Sequence, residues 1–408
     1  MSHHENKGGV LRFLLENSLF LIAGAIIALV WANVAFDSYE HIAHHIHFAV
    51  NDILMAFFFL LAGKEIREAM LPGGALSNVK TASLPLMATL GGMLGPALIF
   101  VVGAQMFNPE LMRGWAVPMA TDIAFSYLVA KLIFGRSVGG KTPAPIVFLL
   151  LLAIADDAGG LIVLAIFYPQ AASDTVLSLA SGLGVTVSVI KYLGLVLMAL
   201  APVICLTMWK KFKVNSFWLY LGIAGVISWI GFYLAGIHPA LALVPLCWCM
   251  PHEHADLGIW APGESHGSDT LNKMEHWWKN PVEIILGLFG FVNAGVAMSS
   301  MGTGTWLVLA GLLIGKPAGI FLCTKAGQLG GLQLPEGMGN KELLVVGMAA
   351  AIGFTVALFV SVVAFPASDP VAGPYLDSVK MGALFSFVAA ILTIALAKAL
   401  GIKKPKDS

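Results

Sequence analysis

Charge is in short supply in this 408-residue sequence: Asp, Glu, Lys and Arg make up 11% of it. A water-soluble domain carries about 25%, and a surface facing water cannot be built from so few. Apolar residues reach 58% and mean hydropathy is +0.85, so lipid has to cover most of the surface. The 23 basic residues balance the 23 acidic ones, which leaves no basic surplus to attract nucleic acid. Cysteine is scarce too. Cys205, Cys247, Cys249 and Cys323 lie in apolar stretches without metal-type spacing and read as small hydrophobes, not as a disulfide framework. There is no Walker A motif or ATPase domain, so any transport must run on a gradient. Asp156-Asp157-Ala-Gly-Gly is not the DDxxD of a magnesium-diphosphate site, and no GxGD pair supports an intramembrane protease. The expectation is therefore no enzyme and no cofactor. The first apolar run, from Phe13, ends in Trp31-Ala32-Asn33 without a small-residue cleavage site and reads as a retained helix.

What is there is a series of apolar runs long enough to span a bilayer, each about 20 residues. They fall at 13–33, 47–66, 82–104, 114–134, 143–167, 188–208, 216–235, 237–250, 282–299, 304–324, 343–364 and 379–399. The pattern predicts an all-α polytopic membrane protein of about twelve spans, in which 237–250 is short enough for a tilted or partial helix. Leu177–Gly184 is expected to be an interfacial piece. With an even number of spans both termini share one side, and that side collects 19 of the 23 Lys and Arg. Arg113, Lys191 and Lys380 fall opposite, and Lys316 lies inside a span. This bias predicts cytoplasmic termini, with 401–408 as a cytoplasmic tail. Two spans look interrupted: the fourth carries Pro118 and then Thr121-Asp122, and the eleventh carries Gly353-Phe354-Thr355. Spans three to five and ten to twelve enter the membrane from opposite sides, an inverted repeat with breaks at matching places, which points to a transport site. Gly and Pro are also simply common in membrane helices.

Ionisable groups within apolar runs are the sharpest signal, because each costs at least ~2.5–3.5 kcal/mol at mid-membrane and needs a partner. Asp156 and Asp157 occupy one such run. Adjacent helix positions point about 100° apart, so one carboxylate can face a cavity and the other a neighbouring helix. Two close carboxylates resist joint ionisation, and hard oxygens suit Na+. A site that holds protons or a cation, but not both, is already an exchanger; the competing reading is a buried pair that only caps other groups. Asp122 after Thr121 either helps complete an oxygen shell for the ion or balances positive helix ends at the break. Lys316 has an aspartate as its obvious partner, unless it snorkels to the interface.

Four further candidates are weaker. Asp52 opens the second span and lines either a funnel or a polar seam. Glu65 ends that span, where a solvated salt-bridge cluster is the plainer reading. His238 and Glu275-His276 are candidates for pH response, though a lone histidine is often a polar filler.

Ala-Thr-Asp-Ile-Ala-Phe (120–125), Ala-Asp-Asp (155–157), Gly-Lys-Pro-Ala-Gly-Ile (315–320) and Ile-Gly-Phe-Thr (352–355) together resemble the NhaA family of bacterial sodium–proton antiporters. So do Asn51-Asp52 with Phe57–Glu65, Asn293-Ala-Gly-Val and Leu334-Pro-Glu-Gly, in order across nearly the whole chain. That family is itself a reference case for inverted repeats with broken helices. The resemblance implies twelve helices, with a core from spans 3–5 (82–167) and 10–12 (304–400), two crossed discontinuous helices, and a panel from the rest of one transporter unit (1–408). It implies Asp157 as principal Na+ and proton carrier, Asp156 as its partner paired with Lys316, and Thr121 and Asp122 at the helix crossing. Glu65 and Glu275 match the family's pH-responsive cluster. Three departures stand out. After Glu65 the charges are shifted, as Ile66-Arg67-Glu68-Ala69. The segment between spans one and two is short. A stretch at 173–187 is extra.

The reading is a pH-dependent, electrogenic Na+ (or Li+)/H+ antiporter with no cofactor; the alternative is a sodium-coupled organic-solute carrier of the same architecture. A pH-responsive sensor or channel would account for the histidines but not for paired carboxylates with a buried lysine. In well-studied relatives a β-hairpin between spans one and two pairs the protomers. Here Phe36–Phe48 contains no hairpin turn, and His41, His44 and His45 recur at helical spacing. The segment is expected to be a short interfacial helix, and the protein a monomer or weak homodimer.

Overall fold

The computed structural model describes residues 19–71, 74, 76–77, 79–135, 142–170, 173–252 and 269–402. Residues 13–18 of the first expected span and 403–408 of the expected tail lie outside them. Among the described residues there is no strand. The helices are α1 (Leu19–Val34), α2 (Phe36–Met70), α3 (Ala82–Phe107), α4 (Ile123–Phe134), α5 (Ala144–Phe167), α6 (Val187–Lys210), α7 (Phe217–Ala235), α8 (Thr270–Asn293), α9 (Thr303–Leu329), α10 (Asn340–Ala350), α11 (Phe354–Ala364) and α12 (Gly373–Ala399). Seven of them, α2, α3, α5, α6, α7, α9 and α12, are long and apolar enough to cross a bilayer, and α10 with α11 forms a further span bent by 46°. The chain is a multi-pass membrane protein.

Several boundaries differ from the sequence expectation for local reasons. A 3-10 turn, Pro109–Gly114, leads into the fourth span, expected over 114–134, whose first half is a run of turns and an extended link; only Ile123–Phe134 is α-helical. Pro109 and Pro118 lack the N–H that an α-helix needs. The stretch 237–250 holds a 3-10 turn, Pro239–Leu241, and a one-turn helix, Val244–Cys247, instead of a continuous helix. Gly236, at φ +79°, ends α7 in the left-handed conformation, and Pro239 and Pro245 interrupt the next stretch of chain. Helix α8 starts at Thr270, well before the expected 282, because the Asp269 carboxylate accepts the Asn272 N–H at 2.9 Å and caps it. Phe36–Phe48 is helical and runs through a wide π turn, Ala49–Leu54, into the rest of α2. Asp174–Gly182, within the extra stretch, is a short helix capped by Ser173 and packed through Val176 and Ala180 on Ile190.

The described residues gather into two compact units. One takes in those of 1–43, 78–160 and 290–408; the other takes in those of 44–77 and 161–289. The first unit contains both interrupted spans. Its tightest seam is α3 against α9. A Cβ on Gly91 would lie 2.0 Å from the Gly319 carbonyl oxygen, one on Gly319 would lie 2.0 Å from that of Gly91, and one on Gly95 would lie 2.3 Å from that of Gly315. Glycine at these positions lets the two backbones touch, and the seam fixes the height of Lys316, the first residue after the π segment Gly311–Gly315. Gly91→Ala and Gly319→Ala are expected to destabilise the protein by at least the ~1–3 kcal/mol of core overpacking. Gly160→Ala, with nothing within 4 Å of the added carbon, should leave it unchanged. Thermal unfolding of the detergent-purified protein checks this, and equal melting temperatures for Gly91→Ala and Gly160→Ala would contradict the seam.

Candidate functional site

Asp156, on α5, is 1% exposed, and Lys316 is fully buried. The Lys316 ammonium donates to Asp156 Oδ2 at 2.7 Å and to the Met119 carbonyl oxygen in the turn before α4. Thr121 lies in the extended link between that turn and α4. Its Oγ1 stands 2.9 Å from Asp156 Oδ2 and 3.0 Å from the Ala350 carbonyl oxygen at the end of α10. One hydroxyl proton serves one of these acceptors at a time. Asp156 Oδ1 is buried with no hydrogen-bond partner, so this carboxylate keeps an unfilled acceptor beside its ion pair.

The two chain breaks meet around Asp122. Its N–H donates to the Ile352 carbonyl oxygen at 2.7 Å. Its Oδ1 accepts the Phe125 N–H at 3.2 Å, and its Oδ2 accepts the Thr355 N–H at 3.2 Å and the Thr355 hydroxyl. One buried carboxylate thus caps the N-termini of α4 and α11 together, where two positive helix ends converge. Gly353 allows the approach: a Cβ there would lie 3.2 Å from the Ala120 carbonyl oxygen.

Asp157, one position on from Asp156, is only partly buried, and it interacts electrostatically with Lys316. The first unit therefore holds Asp122, Thr121, Asp156, Asp157 and Lys316 around the two breaks. Thr355 belongs with them, although the sequence pattern alone gave it no role. A hydroxyl two residues after Gly353 at a helix start was the available signal.

The other sequence candidates lie in the second unit. Lys64, fully buried, pairs with Glu68 one turn on at 2.5 Å and with Glu275 on α8. Glu68 also faces His252 at 3.7 Å, and His252 contacts Asp269 at 2.8 Å. Arg67 donates to the carbonyl oxygens of Cys247 and Met250, the latter at 3.0 Å. The cluster is buried, not solvated, and Glu68, His252 and Asp269 were missed. The i,i+4 spacing of Lys64 and Glu68 was the legible sign. Glu65 is half-buried on α2. His238 is buried and accepts the Ala240 N–H at 3.3 Å, so it shapes the turn at Pro239. Asp52 is half-buried in the π turn, its carbonyl oxygen accepting the Trp229 indole N–H at 2.8 Å.

Removing the buried ammonium strands Asp156, and breaking a buried pair costs roughly 3–5 kcal/mol in soluble proteins. Lys316→Ala should therefore lower the melting temperature more than Lys316→Arg does. A melting temperature equal to wild type for Lys316→Ala would mean that the pair carries no stability.

Similarity to known proteins runs almost the full length of the chain. A family model described as Na+/H+ antiporter 1 matches residues 10–397. A protein of Jannaschia sp. (strain CCS1) named Na(+)/H(+) antiporter NhaA is 48% identical, over 97% of this chain and 99% of its own. One of the same name from Desulfitobacterium hafniense (strain DSM 10664 / DCB-2) is 46% identical over 98% of both. Among solved structures, the sodium proton antiporter MjNhaP1 from Methanocaldococcus jannaschii at pH 8 shares the fold, with a TM-score of 0.51 at 16% identity over 94% of this chain and 92% of that one. With a family model matched over nearly the whole chain and relatives near half identity, this chain belongs to the Na+/H+ antiporter 1 family.

Proposed function

We propose that this chain is a secondary antiporter that exports Na+, or Li+, in exchange for protons, and that Asp157 and Asp156 are where the two compete. One observation carries the reading: a buried Asp156–Lys316 pair with a spare carboxylate oxygen, placed where two interrupted spans meet. Protonating or metallating that carboxylate weakens its hold on Lys316, so ion occupancy is felt at α9 as well as α5. Asp157 is the principal carrier, being the less buried of the two. Thr121 supplies a hydroxyl that can turn towards the ion, and Asp122 acts electrostatically by holding two helix N-termini together. With two carboxylates able to take protons, more than one H+ moves per ion and exchange is electrogenic. We place α4 and α11 as crossed half-helices of an inverted repeat, in a core of 82–167 and 304–400 flanked by a panel. The termini are cytoplasmic, the membrane is the bacterial inner membrane, and each protomer, monomeric or in a weak homodimer, is complete. A sodium-coupled organic-solute carrier would need a larger aromatic-lined cavity.

In proteoliposomes with a trapped pH dye, added Na+ or Li+ should collapse an imposed pH gradient. Failure at every pH from about 6.5 to about 9, the range in which such carboxylates titrate, would end the antiporter reading. Asp157→Asn should abolish exchange, because an amide carries neither a proton nor charge for the ion. Asp156→Asn should cripple it or alter its electrical character, and Asp122→Asn should be milder. Near-normal exchange by Asp157→Asn would remove the proposed site.

The rate should rise from near-neutral to alkaline pH. Protons occupy the carboxylates at low pH and exclude Na+; deprotonation frees them as pH rises, so the sign is set by competition alone. Glu65, Glu275, His238 and Asp52 are expected to sharpen the profile. A profile unchanged by neutral substitutions at these four would leave competition at Asp156 and Asp157 as the whole cause.

A further inference from the structure

The lysine-poor ends of the two interrupted spans are tied together by side chains that ion exchange at Asp156 and Asp157 leaves unused. Arg113, in the 3-10 turn Pro109–Gly114, reaches Asp369 Oδ2 at 2.5 Å in the link between α11 and α12. Asp369 is itself fixed on its loop. Its Oδ1 accepts the N–H groups of Val371 at 2.9 Å and Ala372 at 3.1 Å, and its N–H donates to the Pro366 carbonyl oxygen at 2.9 Å. The N–H groups of Ala372 and Val371, with the Arg113 guanidinium, hold its carboxyl below the usual carboxylate range. A second tie lies alongside: the Tyr375 hydroxyl donates to Glu110 Oε2. Glu110 is placed by Asn108, whose side chain accepts the Glu110 N–H at 3.1 Å and starts the turn.

Beneath both ties lies a packed apolar layer. Phe100, Leu111, Val117, Ala364 and Phe365 are each 0% exposed. Gly114 is in full contact with it, since a Cβ there would sit 2.7 Å from Phe365 and 2.8 Å from Phe100. Opening this end during each cycle would break two ties and wet several large apolar side chains at once.

We propose that Arg113–Asp369 and Glu110–Tyr375 form a permanent staple that seals this end of the unit and keeps the two chain breaks in register, so that the ion reaches Asp156 and Asp157 by a route that does not pass between them. These four are positioning residues. Their effect runs through the Asp122–Ile352, Asp122–Thr355 and Thr121–Ala350 contacts, which join the same two segments at the other end of α11. The proposal rests on the antiport reading, which wild-type exchange in the same vesicles tests separately.

The test joins the two segments covalently. Arg113→Cys with Asp369→Cys is bridged by a reducible bifunctional thiol reagent of about arginine length, with reagent-treated wild type as control for the native cysteines. A staple predicts that, at saturating Na+, the bridged protein exchanges Na+ for H+ at the rate of its reduced form. Arrest by the bridge, relieved by reductant, would show a gate and overturn the proposal. In a second arm, Arg113→Ala should raise the KM for Na+ severalfold with kcat little changed, and should raise the Na+ concentration needed for thermal stabilisation in parallel; Arg113→Lys should restore both. A lower melting temperature with unchanged KM would reduce the pair to general stability and overturn the positioning role.

Discussion

A lysine ammonium enclosed by apolar helices has to be neutralised where it stands, and Lys316 has the Asp156 carboxylate and the Met119 carbonyl for this. Both partners come from elements distant in the chain, so the charge can be buried only when α5, α9 and the interrupted fourth span are assembled together. The glycine seam between α3 and α9 makes that assembly close enough: Gly91, Gly95, Gly315 and Gly319 bring backbone against backbone beside Lys316. The same pair gives the site its chemistry. A carboxylate already held by an ammonium and a hydroxyl, with one oxygen unfilled, is sensitive to any proton or small cation that competes for it.

The interruptions serve the same end. An unbroken helix hides its carbonyls and N–H groups inside itself; a broken one exposes them at mid-membrane, where each must find a partner. The fold answers with Asp122, which caps α4 and α11 at once, and with the Thr121 and Ile352 contacts across the gap. Polar backbone is thereby brought beside Asp156 with hydrogen-bond partners across the gap.

A separate concentration of charge occupies the other unit. Lys64 sits between Glu68 and Glu275, with His252 and Asp269 continuing the chain of contacts. Arg67 is held by backbone carbonyls instead of by an acid. Lys64 stands one helical turn before Glu68, whereas Glu65, its neighbour in the chain, points about 100° away from it.

The membrane class, the places of most spans, the lysine bias and the two interruptions were legible in the sequence, because each is a local signal. Hydropathy needs only the run itself, and Pro109, Pro118 and Gly353 disturb helices through their own backbone chemistry. The buried charges were equally plain, since Asp122, Asp156, Asp157 and Lys316 stand in apolar surroundings that no solvated residue would share. The partners of those charges were decided by tertiary structure. Thr355 lies 233 positions from Asp122, and Glu275 lies 211 from Lys64. The start of α8 at Thr270 and the collapse of 237–250 into short turns belong to the same class, because a capping carboxylate or a proline pair competes there against weak apolar periodicity. Sequence shows where a charge is costly; only packing of distant helices settles which atom offsets the cost, because a hydrogen bond is made over about 3 Å of space and not over any distance along the chain.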